Sequence, residues 1–142
     1  MSNSDGPQQL PPGRPPNVPK PGEAVLISGP ERDLLCALAY VHLACGQSAQ
    51  SLALLRIVAH EHSRDVDLLR MLAYALISER HGHEALAVLD RLDTLDDQPS
   101  SRLPLMLLRS HALRQAGRMA EAQSTFKRYV SLRASRAPIK QQ

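Results

Sequence analysis

The sequence contains no tryptophan, and aromatic residues make up only 3% of its 142 positions. A core must then be assembled from Leu, Ala, Val, Ile and Met, a set that suits closely packed helices better than a β-sandwich. Cysteine is scarce as well, with only Cys36 and Cys45. Nine residues apart on one helical stretch, they fall on opposite faces and out of bridging reach, so two reduced thiols are expected, at least one of them buried. There is also no basic start followed by an apolar run of signal-peptide length, and no run of about 18 apolar residues. A cytoplasmic location without stable membrane insertion is the expectation.

The signatures of catalysis are missing too. No Gly-rich phosphate loop, nucleophile elbow or suitably spaced Cys–His pair occurs, which predicts no enzyme activity and no cofactor. The pairs His60-Glu61-His62 and His81-Gly82-His83 lack metal-ligand spacing, because helical residues two apart point about 200° apart. They read as solvated helix ends. The run Asp90, Asp93, Asp96 and Asp97 lacks the alternating oxygen ligands and turn glycine of a calcium loop, and reads the same way. No metal site is expected.

What the chain does have is sharply divided. Eight of its eleven prolines lie within the first thirty residues, where fixed φ angles and missing amide donors prevent regular structure. Residues 1–28 are expected to form a disordered Pro-rich tail, a linker rather than a peptide ligand. Charge is divided also. Residues 1–97 carry eight basic and thirteen acidic side chains, residues 98–142 nine basic and one acidic. A solvated cationic face or a site for an acidic partner explains the basic third, and a basic tail is expected over 137–142. Nucleic-acid binding is not expected, because base-stacking aromatics and a recognition-helix motif are missing there.

From Pro30 onward apolar residues recur at helical spacing. Pro30, Glu31 and Asp33 mark a helix start, and Gly46 suits the left-handed position that ends a helix. Leu52, Leu54, Leu55, Val58 and Ala59 then form a second run, completing a helical hairpin. The hairpin recurs over residues 66–97, with a turn through Arg80 to Gly82, and again around Gly117. Aligning Ser51, Ala85 and Ala122 gives separations of 34 and 37 residues, with three extra residues around Pro99 to Ser101. In this register Leu55, Leu89 and Phe126 correspond, and the small residues Ala39, Ala73 and Ser110 stand where two helices must approach.

A period of about 34 residues is that of the tetratricopeptide repeat. GHEALAVLDRL and GRMAEAQSTFKRYV resemble the second half of such a repeat, with Glu84-Ala85 and Glu121-Ala122 at its acidic-small pair. The family's usual Trp and Gly of the first helix are missing, and Ser63 and Ala134 replace its closing proline. The expected fold is all-α: three tetratricopeptide-like hairpins, at about 32–65, 66–99 and 103–136 within a domain spanning 29–136, stacked into a short right-handed solenoid. Three such units are about the minimum for a continuous core.

The concave side of such a stack, lined by the first helix of each pair, commonly holds a segment of another protein. Here the groove candidates are Asp33, Cys36 and Tyr40, then Asp67, Arg70 and Tyr74, then Leu107, His111 and Arg114. Tyr40 and Tyr74 occupy equivalent positions, where they either anchor a partner or pack between units.

The stretch Glu31 to Leu132, with ERDLLCALAYVHLACGQSAQSLALL near its start and LRSHALRQAGRMAEAQSTFKRYVSL at its end, resembles the YscY-type chaperones of type III secretion systems. The Pro-rich tail departs from that family's pattern. The resemblance implies a chaperone that binds a small secreted partner of the YscX type and presents it to the export gate, with a homodimer possible when the partner is absent. A general tetratricopeptide adaptor with an unrelated peptide partner is the alternative.

Overall fold

A computed structural model describes residues 27–136; residues 1–26 of the expected tail at 1–28, and the expected basic tail at 137–142, lie outside these described residues. The fold is all-α. Six helices follow in order: α1 (Gly29–Ala44), α2 (Ser48–Glu61), α3 (Val66–Ser78), α4 (Gly82–Leu95), α5 (Arg102–Gln115) and α6 (Met119–Arg136), with a 3-10 turn at Pro99–Ser101 before α5. No strand occurs among the described residues.

Local chemistry explains where the helices begin. At the head of α1 the Ser28 hydroxyl accepts from the Glu31 N–H, and Pro30 occupies the first turn, where its missing N–H costs nothing. At α3 the Asp65 carboxylate accepts from the Leu68 N–H at 3.2 Å. Ile27 and Ser28, at the end of the expected tail, are tied to the helices: Ile27 is buried and its N–H donates to Glu61 Oε2 at 2.7 Å.

The first helix of each pair ends in one repeated device. Gly46, Arg80 and Gly117 all have positive φ, at 74°, 63° and 78°. One residue further on, the N–H groups of Gln47, His81 and Arg118 donate back to the carbonyls of His42, Leu76 and Leu113 at 2.8, 2.8 and 2.9 Å. This six-to-one bond satisfies a carbonyl that the helix leaves unpaired, and it needs a left-handed residue in front of it. Arg80, not a glycine, supplies that residue in the middle pair. Gly82 is instead the buried first residue of α4.

Each helix packs on the next, and α1, α3 and α5 also touch in sequence, whereas α2, α4 and α6 do not touch one another. The first helices therefore form a contiguous row, and the second helices stand apart. The core lies in the middle of this arrangement: Leu55, Leu68, Leu69, Leu76, Leu89 and Leu92 are buried completely or nearly so, each worth about 1.5–3 kcal/mol of burial. By contrast α1 buries only Ala39 and α6 only Ala122, because among the described residues each has a neighbouring layer on one side alone. Ala39, Ala73 and Ser110 are all buried, as are Ser51, Ala85 and Ala122. The Ser51 hydroxyl donates to the Ala39 carbonyl at 2.8 Å, so a polar group sits at this close crossing without an unmet bond.

Candidate functional site

The nine groove candidates all stand on the contiguous row, three each on α1, α3 and α5. Tyr40 is 64% exposed and Tyr74 53%, so neither belongs to the core. Two aromatic rings one repeat apart, on helices that touch, are open to solvent.

At the α1 end, Asp33 and Asp67 are exposed and Cys36 is half-buried between them. Burial raises the Cys36 thiol above its usual pKa, and Asp65, Asp33 and Asp67 push the same way against Arg32. The thiol stays protonated near neutral pH and is a weak nucleophile. Cys45 is exposed. Neither cysteine is fully buried, contrary to the expectation of one buried thiol, because no further layer packs on the outer side of α1 among the described residues. Arg32 bridges Asp33 and Asp65, joining α1 to the cap of α3.

Arg70 is less available than its register position implies. Its guanidinium donates to Asp96 Oδ2 at 3.0 and 2.5 Å, to the Ser101 hydroxyl at 2.6 Å and to Gln98 Oε1 at 3.4 Å, with Asp67 3.3 Å away. The Asp96 side chain is only 1% exposed, and its Oδ1 accepts the Gln98 N–H. The Arg70 hydrogen bond holds the Asp96 carboxyl below the usual carboxylate range; burial opposes this, while the Gln98 amide and Ser101 hydroxyl reinforce it. Arg70 thus pins the α4–α5 connection, including the three extra residues.

Within the acidic run only Asp96 is withdrawn from solvent; Asp90 and Asp93 are 70% and 61% exposed even where they meet an arginine, and Asp97 is exposed. Arg109 reaches from α5 to Asp90 at 2.8 Å and Asp93 at 2.6 Å on α4. Asp93, Asp96, Asp97 and Arg109 border a cavity of about 620 Å³ between α4 and α6, floored by Leu105 and Met106, which contains none of the nine candidates. The ion pairs here lie 16 to 26 residues apart in sequence, and spacing within one helix does not reveal them.

On α5, His111 and Arg114 reach a smaller cleft of about 300 Å³, completed by Met119, Ala122, Gln123 and Phe126 of α6. Arg114 lies 3.2 Å from His111 Nδ1. Leu107 is half-buried and does not line this cleft. The register does not single out Met119, and it aligns Phe126 with Leu55 and Leu89 without placing it in a cleft. Phe126 aligns with the buried Leu55 and Leu89 yet is 48% exposed, because no further helix covers it among the described residues.

No family model and no curated protein matches the chain. No helix among the described residues is long and apolar enough to cross a membrane.

Proposed function

We propose that the chain is a three-unit tetratricopeptide-like scaffold, a short right-handed solenoid whose concave side holds a segment of another protein, and that it serves as a cytoplasmic chaperone of the type III secretion class. Its partner is a small secreted protein of the YscX type, carried to the export gate. The reading is one of binding without catalysis.

The observation that carries this reading is the pair Tyr40 and Tyr74. They lie 34 positions apart on the contiguous first-helix row, and both are more than half exposed. Large exposed aromatics in register supply contact area at low entropic cost, as interface anchors do. The contacts among α1, α3 and α5, with α2, α4 and α6 apart, support a curvature that places these rings on the inner side.

Co-expression with the small proteins encoded beside it tests the proposal. A soluble complex with a secreted neighbour is expected, and Tyr40→Ser with Tyr74→Ser weakens it by about tenfold or more. A stable partner unrelated to secretion would favour the general adaptor instead.

A further inference from the structure

Among the described residues, α6 is the outermost layer beyond α5. Met119, Phe126 and Val130 fall within one narrow sector of it, since successive helical residues turn by about 100°. Their side chains are 49%, 48% and 48% exposed. Large apolar groups collected on one exposed face mark an interaction surface more than chance scatter does.

Charge selects the occupant. Lys127 and Arg133 flank this sector on α6, and Arg114 closes it from α5 across the cleft that contains Met119 and Phe126. None of the three has a carboxylate partner among the described residues, where the ion pairs of this third of the chain are those of Arg109 and Arg118. The one acidic residue beyond position 97 is Glu121. It points to the far side of α6 and is engaged by Arg118. The face is therefore an apolar centre with a cationic rim and no anion of its own.

Building on the partner-holding reading above, we infer that this α6 face docks an acidic amphipathic helix. Apolar residues of that helix, three or four positions apart, seat against Met119, Phe126 and Val130, and its carboxylates meet Arg114, Lys127 and Arg133. Pairing of α6 with α6 of a second copy would instead set cation against cation.

Fluorescence anisotropy on the full chain tests this with a designed helical peptide carrying Leu at helical spacing and Glu elsewhere. The controls are the same peptide with Lys for Glu and the Glu peptide with its Leu positions scrambled. The acidic amphipathic peptide is expected to bind about tenfold or more tighter than either control, and less tightly as salt is raised. Phe126→Ser with Val130→Ser should remove that binding while leaving the melting curve in place, and Lys127→Glu with Arg133→Glu should turn the preference toward the Lys peptide.

Equal binding of the Lys peptide, unchanged affinity in the Phe126/Val130 variant, or binding of a DNA duplex in place of the acidic peptide overturns the inference. So does a dimer of the chain that the Phe126/Val130 variant dissolves. If the Tyr40/Tyr74 variant loses the native partner while the α6 variants bind no acidic peptide differently from wild type, the chaperone proposal stands and this docking face falls.

Discussion

Gly82 and Gln115 approach so closely that a β-carbon added to Gly82 would lie 2.6 Å from Gln115 Cβ, and 2.7 Å from the Ala112 carbonyl oxygen. The start of α4 is pressed against the last turn of α5, and the Gln115 side chain donates onward to the Ile77 carbonyl of α3 at 2.8 Å. Since one obstacle is backbone, the layers must separate to admit a methyl group. Gly82→Ala should therefore destabilise the fold by about 1–3 kcal/mol despite its better helix propensity. Urea unfolding checks this, and an unchanged or raised midpoint would contradict the packing.

The opposite sign is expected two residues earlier. Arg80 holds a left-handed backbone at φ 63°, where Gly46 and Gly117 serve in the other two pairs. Relieving that conformation outweighs the extra freedom that glycine adds to the unfolded chain, so Arg80→Gly should stabilise by about 0.5–1 kcal/mol. Gly46→Ala, with nothing near its Cβ, should cost about 1 kcal/mol through the backbone alone. Parallel denaturation curves of the two variants decide the matter.

Leu89 and Phe126 share a register position but not an environment, at 1% and 48% exposed. Leu89→Ala should cost about 2–5 kcal/mol, and Phe126→Ala under about 1 kcal/mol. Equal losses would mean that α6 is covered by another part of the protein.

Asp96 makes stability depend on acid. Its folded pKa is lowered, chiefly by the Arg70 hydrogen bond, so the unfolded chain takes up its proton first as pH falls. The stabilisation is present above the unfolded value of about 3.9 and is lost as pH drops through the lower folded value. Asp96→Asn should be less stable than wild type near neutral pH, and the gap should narrow as pH falls below about 4. A gap independent of pH would show that the carboxylate's charge is irrelevant.

Much of the all-helical architecture is legible in the sequence. Small residues at 39, 73 and 110 and at 51, 85 and 122 marked the crossings, and all six are buried, because a helical hairpin leaves no room for larger side chains there. The positions that escaped the sequence depend on longer-range circumstances. Gly82 read as a turn residue, since nothing local reveals the α5 backbone that requires it. Arg70 read as a groove residue, although Asp96 and Ser101 that occupy it lie 26 and 31 positions away. Phe126 corresponds in register to Leu55 and Leu89, but register says nothing about whether another layer covers it.

On the function proposed above, the row of first helices faces a guest polypeptide. Photo-crosslinking from its native cells tests this most directly, with a photoreactive amino acid placed in turn at Tyr40, at Tyr74 and at Ile57, a residue of α2 that is 59% exposed. Positions 40 and 74 are expected to capture the same small secreted protein, identified by mass spectrometry, and position 57 is not. Capture of that protein from position 57 alone, or of no common protein from 40 and 74, would contradict it.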